Sequence, residues 1–139
     1  MTTALITGGS RGLGRAAALA LAEAGLDVVI TYRTRADDAR DVVARIEALG
    51  RRGAALPLDI TDVAGFPAFV EALCAQLPDG RIDVLVNNAG SALYSALEVT
   101  TEKELDRVVA EHLKGPLLLT QSLLDLIADG GRIVNISSA

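Results

Sequence analysis

The residues best suited to chemistry in this 139-residue chain are Thr7-Gly8-Gly9-Ser10-Arg11-Gly12-Leu13-Gly14. They follow a short apolar run, Ala4-Leu5-Ile6, and lead into an alanine-rich helical pattern. Strand, glycine turn, helix is the order that a dinucleotide pyrophosphate requires. Glycines let the backbone turn tightly and approach a phosphate with no Cβ in the way. The helix that follows aims unpaired N–H groups and the positive end of its dipole at the anion. Read from Gly12 the loop is Gly-x-Gly-x-x-Ala, and read from Thr7 it is Thr-Gly-x-x-x-Gly-x-Gly. No Gly-Lys-Ser/Thr follows, so a Walker phosphate loop is excluded. Glycine turns between strand and helix also occur without any ligand, so the reading depends on what accompanies the loop.

Three further groups accompany it. About 20 residues beyond the glycines, an NAD site carries a carboxylate for the ribose hydroxyls. Here that window is Thr31-Tyr32-Arg33-Thr34-Arg35 and holds no carboxylate. Arg33, together with Arg11 in the loop, would suit a 2′-phosphate, so NADP(H) is favoured over NAD(H). Asp59-Ile60 follows a short apolar run, where the aspartate can also serve as a helix cap. Asn87-Asn88-Ala89-Gly90 ends another apolar run, where an amide can bond to a neighbouring strand and small residues allow a close approach.

The joint occurrence of Thr-Gly-x-x-x-Gly-x-Gly and Asn-Asn-Ala-Gly resembles the short-chain dehydrogenases/reductases, and the resemblance spans the whole chain. It implies that Thr7, Gly8, Gly9, Ser10, Arg11, Gly12, Leu13 and Gly14 bind the cofactor. It further implies that Asp59 and Ile60 meet the adenine and that Asn87, Ala89 and Gly90 lie against the ribose. Ser138, after Arg132-Ile133-Val134-Asn135-Ile136-Ser137, aligns with the serine that orients a substrate carbonyl. His112 in His112-Leu113-Lys114-Gly115 stands where the family has a catalytic asparagine, and an imidazole can relay protons. The family's Tyr-x-x-x-Lys is not in these residues: Tyr32 is followed at +4 by Ala36, and Tyr94 by Glu98. The resemblance therefore implies the N-terminal part of an enzyme that moves hydride between nicotinamide and a carbonyl or secondary alcohol.

These residues need a scaffold, and the pattern supplies one. Strands are expected at Ala4–Thr7, Asp27–Tyr32, Ala54–Leu58, Asp83–Asn87 and Arg132–Ser137. Helices alternate with them. The first, from Leu13 to Ala24, is expected to turn Leu13, Ala17, Ala20 and Ala24 inward. Arg35 to Leu49 follows, with Ala39, Val42, Val43, Ile46 and Leu49 as its inner face. Asp59–Asp62 is a turn that can cap a third helix carrying Phe66, Phe69, Val70 and Leu73 inward. Thr101-x-x-Glu104 is a capping box that opens a long helix, Pro116 predicts a kink or break in it, and Gly130-Gly131 ends the segment. Alternating strands and helices imply a Rossmann-type, doubly wound α/β fold in one domain, residues 1–139, with strand order 3-2-1-4-5. The ligand crevice is expected at the C-terminal ends of strands 1 and 4. The fold is expected to be incomplete after strand 5, whose apolar edge would be left uncovered.

Composition narrows the partners. A net charge of −5 argues against nucleic acid and against an anionic membrane surface. Cys74 is the single cysteine, so no internal disulfide forms and a reducing, cytoplasmic setting fits. No apolar run reaches a membrane span and no leader pattern precedes the first strand. No metal site is expected. The partners implied are a small carbonyl or alcohol substrate and, for a longer form, a second copy of the chain. Two other readings stay open: a non-catalytic NADP(H)-binding module complete at this length, and a purely structural α/β domain.

Overall fold

The computed structural model describes residues 2–138. Five strands, β1 (Thr3–Ile6), β2 (Asp27–Tyr32), β3 (Gly53–Pro57), β4 (Ile82–Asn87) and β5 (Ile127–Asn135), pair in parallel in the order β3-β2-β1-β4-β5. This is the order the alternation predicts. Between the strands run α1 (Gly12–Glu23), α2 (Ala36–Ala48), α3 (Phe66–Cys74), α4 (Glu102–Val109) and α5 (Gly115–Leu123).

The strand period of two sorts the core into two layers. Leu5, Val29 and Leu85 point to one face and pack with Phe66, Phe69, Leu73, Leu119 and Leu123 from α3 and α5. Ile6, Val28, Ile30 and Val86 point to the other and pack with Ala18, Ala22, Ala39, Val42 and Ile46 from α1 and α2. Strands covered on both faces are apolar at most positions, which is why their centres read as nearly unbroken runs.

Five expectations about detail need correction. In α1 the buried face is Gly14, Ala18 and Ala22, while Leu13 is 73% exposed. Helix α1 is apolar nearly all round, so periodicity cannot set its phase. The contact of Gly14 with the glycine loop sets it instead. In α2, Ala39, Val42 and Ile46 are buried as expected, but Leu49 lies at the C-cap and is exposed.

The Asp59 carboxylate closes its own turn, accepting from the Thr61 N–H (2.9 Å) and hydroxyl (2.7 Å), and it does not cap a helix. A short 3₁₀ turn, Val63–Gly65, intervenes before α3, and Asp62 makes no side-chain cap to it.

Gly130-Gly131 does not end a segment. Both glycines lie within β5, which starts five residues earlier than expected, and the β4–β5 register shifts there. Gly130 has φ +76°, a conformation that suits glycine at such an irregularity. Finally, Asn135 is the last residue of β5, although the Ile136 N–H still donates to the Asn87 carbonyl at 3.0 Å.

The capping box at Thr101 is present, with Glu104 N–H donating to the Thr101 hydroxyl (3.2 Å) and Thr101 N–H to the Glu104 carboxylate (2.8 Å). The interruption expected at Pro116 is a five-residue π segment, Ala110–Lys114, between α4 and α5. Proline lacks an N–H and crowds the carbonyl four residues earlier, so the regular ladder gives way upstream of it. Among the described residues no helix is long and apolar enough to cross a membrane.

Candidate functional site

The C-terminal ends of β1 and β4 carry the glycine loop and the Asn87–Gly90 turn side by side. Thr7 knits them together. Its backbone N–H donates to the Val86 carbonyl at 3.1 Å. Its hydroxyl oxygen accepts the N–H groups of Asn88 and Ala89, each at 3.0 Å, and donates to the Val86 carbonyl at 3.4 Å. The Asn88 amide returns across the gap and donates to the carbonyls of Thr7 and Gly8, both at 3.1 Å. On the other side, Gly8 N–H donates to the Thr31 hydroxyl (3.1 Å) and Gly9 N–H to the Thr31 carbonyl (3.0 Å). The loop is thus fastened to both neighbouring strands.

Glycine is required at this junction. Gly8 has φ +67°, and a Cβ on it would lie 2.9 Å from the Ala89 Cα. A Cβ on Gly14 would lie 2.2 Å from the Gly8 carbonyl oxygen and 2.5 Å from the Asn88 amide nitrogen. These distances are too short for any side chain, so the loop folds back on the first turn of α1. Arg11, the residue before α1, is extended, makes no side-chain cap, and no acidic residue occupies the first turn. The leading N–H groups of α1 are therefore left for an anion. A cradle without Cβ atoms around an uncapped helix start fits a pyrophosphate. Ser10 is buried beside it, and Arg11, Gly12 and Leu13 are exposed.

Arg33 lies just past β2, with Nη2 3.8 Å from the Asp59 carboxylate. The Asp59 carboxyl is held below its ordinary value, first by the Thr61 hydroxyl and then, against some desolvation, by the Thr61 N–H and the Arg33 guanidinium. Arg33 and Asp59, both expected at the adenosine end, thus lie side by side. Ile60 is buried, and its carbonyl lies against Gly115, where a Cβ would be 2.2 Å from that oxygen.

Asn87 and Asn88 both bond to a neighbouring strand, as expected of an amide at this strand end, but on opposite sides. The amide on the glycine-loop side belongs to Asn88, which was not among the expected site residues. Asn87 is buried and donates away from the glycine loop, to Thr120 Oγ1 (3.2 Å) and Asn135 Oδ1 (2.9 Å). Its own Oδ1 is buried and has no hydrogen-bond partner. In Asn-Asn the two amides alternate sides of the strand, and the sequence alone does not say which side faces the loop.

His112 lies in the π segment. Its Nε2 is 2.7 Å from the Ser91 carbonyl, and its ring rests on Gly90, where a Cβ would be 2.4 Å from Cε1. The adjacent Glu111 is 4% exposed and bonds to Ser91, a contact with no signature in the sequence beyond a polar residue at an inward position. Ser138 is exposed just beyond β5. Among the described residues no cluster of three or more His, Cys, Asp or Glu could hold a metal ion.

Known proteins share this arrangement. The family model for short chain dehydrogenases matches residues 2–139. A short-chain dehydrogenase/reductase, FrzI of Cladobotryum, is 42% identical over 97% of this chain and 52% of its own length. A short-chain dehydrogenase from Burkholderia cenocepacia, solved in complex with NADP, superposes with a TM-score of 0.91 at 39% identity. The match covers 99% of this chain and 56% of that one. Landomycin C-6 ketoreductase LanV, solved with NADP and rabelomycin, gives a TM-score of 0.90 at 39% identity over 99% of this chain and 58% of that one. The chain thus spans about half the length of the relatives it matches. With the family's two glycine-bearing turns fastened together at the ends of β1 and β4, and with a match from residue 2 to residue 139, the chain belongs to the short-chain dehydrogenase family.

Proposed function

We propose that this chain is the cofactor-binding half of an NADP(H)-dependent reductase or dehydrogenase that acts on a small carbonyl compound or secondary alcohol. The observation that carries the reading is the cradle in which Gly14 presses on the Gly8 carbonyl beside an uncapped helix start. Gly8 to Gly14 and the first N–H groups of α1 hold the pyrophosphate. Arg11 and Arg33 take the 2′-phosphate, and Asp59 with Ile60 borders the adenine. The backbone of Ala89 and Gly90 meets the ribose, while Asn87 braces β4 against β5 and α5. The bound nicotinamide supplies or accepts the hydride. Ser138 orients the substrate oxygen by hydrogen bonding, and His112 passes a proton. The acid that completes the reaction is assigned to a Tyr-x-x-x-Lys pair in the half of the relatives' length that this chain does not span. NADP-bound neighbours at 39% identity support the cofactor choice.

Homo-oligomerisation of the whole protein is supported by Leu105, Val109, Leu113 and Leu117, which are exposed at four-residue spacing along α4, the π segment and α5. The test of the cofactor reading is a fluorescence titration of the chain with NADPH and NADH. NADPH is expected to bind at least about tenfold more tightly, the worth of one charge-assisted hydrogen bond. Arg33→Ala should remove most of that preference. Equal affinity for both cofactors in the native chain would contradict the reading. The chain on its own is expected to bind NADPH without turnover.

A further inference from the structure

We propose that Glu111 is a positioning residue for the candidate site: its buried carboxylate clamps Ser91, and through Ser91 it holds the Ala89–Gly90 backbone and the His112 ring together. The proposal rests on the cofactor reading above.

Ser91 directly follows the Asn87–Gly90 turn, and each of its polar groups is engaged. Its N–H (2.9 Å) and its hydroxyl (2.8 Å) both donate to Glu111 Oε2. Its hydroxyl oxygen accepts from the Arg107 guanidinium. Its carbonyl faces His112 Nε2 at 2.7 Å. Arg107 also lies 3.6 Å from Glu111 Oε1, which closes a ring of three side chains.

A carboxylate removed from water is costly unless donors surround it. Here two Ser91 donors and one guanidinium do so, and all three reach Glu111 from the loop or from one turn earlier on α4. The π segment makes this possible. The extra residue in the turn shifts the helix phase, so Glu111 points inward while His112 faces Gly90. A carbonyl only accepts, so the ring nitrogen facing Ser91 carries a proton. In the neutral ring Nδ1 is then the free acceptor. Gly90, at φ +150°, has no room for a Cβ under that ring. Loosening Ser91 would therefore release two things at once: the backbone assigned to the ribose and the ring assigned to proton transfer.

The test compares Glu111→Leu, Glu111→Gln and Ser91→Ala with the native chain. Gln keeps an acceptor for Ser91, whereas Leu keeps none. Glu111→Leu is expected to weaken NADPH binding about tenfold or more, and Glu111→Gln by no more than about threefold. The single histidine gives a second readout. A hydrogen-bonded Nε2–H resonance should appear in nitrogen-15 NMR of the native chain, persist in Glu111→Gln and vanish in Glu111→Leu. A purely structural role would lower the melting temperature without moving the ring proton or the affinity. A folded Glu111→Leu chain with native affinity and the native ring signal would overturn the proposal. If that variant does not fold, Ser91→Ala decides: it loses the hydroxyl bonds to Glu111 and Arg107 but keeps the N–H, so a smaller loss of about threefold is expected with a weakened ring signal, and unchanged affinity and ring signal would again overturn the proposal. If the native chain binds no NADPH, the cofactor reading fails, and the ring signal alone decides whether the clamp exists.

Discussion

Leu85 on β4 and Ile133 on β5 are partners in the same parallel ladder, yet Leu85 is fully buried and Ile133 is 46% exposed. Val86 and Val134, the next pair, differ in the same way. Residue type does not separate them, because all four are aliphatic. What separates them is cover: helices pack on both faces of β1, β2 and β4, while β5 is half-exposed or exposed along its length. The candidate cofactor cradle grows from the covered strands. The serine assigned to the substrate follows the uncovered one. A cradle that must hold its glycines within tenths of an ångström is thus built on the part of the sheet with its own complete core.

That contrast can be broken by substitution. Leu85→Ala should cost about 2–5 kcal/mol, the range for emptying a packed core position. Ile133→Ala should cost about 1 kcal/mol or less, because half of that side chain is already in water. Urea unfolding of the two variants measures both, and similar costs would mean that β5 is covered in solution.

Smaller and more local is Thr7→Val, which keeps the shape but removes the oxygen that accepts two N–H groups. We expect a loss of about 1–3 kcal/mol, the penalty for orphaning buried donors, together with weaker NADPH binding. Differential scanning calorimetry beside the cofactor titration would check both.

The smallest effect concerns Asp59. Its folded-state carboxyl titrates below its unfolded value, so the stability it adds is fully present above the ordinary carboxylate value of about 3.9. That stability is lost as pH falls through the lower folded value. Since the group is 36% exposed, solvent screens much of it. Asp59→Asn should therefore lower stability slightly near neutrality and converge on the native chain in acid, which flattens the acid limb of a stability–pH curve. A variant that matches the native chain at pH 7 and differs from it most at pH 3 would contradict the sign.

Much of this was legible in the chain itself. The strand order follows from alternation, and the two motif turns lie where a parallel sheet puts strand ends. Most of the inner face of α2 was legible because charges mark its outer side, and that of α3 because its phenylalanines and Leu73 recur at helical spacing. Helix α1 was not, since alanines on every side leave no phase to read. Gly130-Gly131 looked like a terminus because glycine serves stops and strand irregularities equally well. Asn88, Ser91 and Glu111 were invisible as site residues for a different reason. Each acts through a partner distant in sequence, and no local spacing encodes such a pairing.

The most direct test of the cradle is NADPH titration of Gly14→Ala. Alanine favours helix over glycine by about 1 kcal/mol, so the change should not harm α1 as a helix. Its Cβ would nonetheless fall 2.2 Å from the Gly8 carbonyl oxygen. The structure predicts that the native chain binds NADPH saturably and that the folded variant shows no measurable binding. A folded Gly14→Ala chain that binds NADPH as tightly as the native one would contradict the central claim that this glycine turn holds the cofactor.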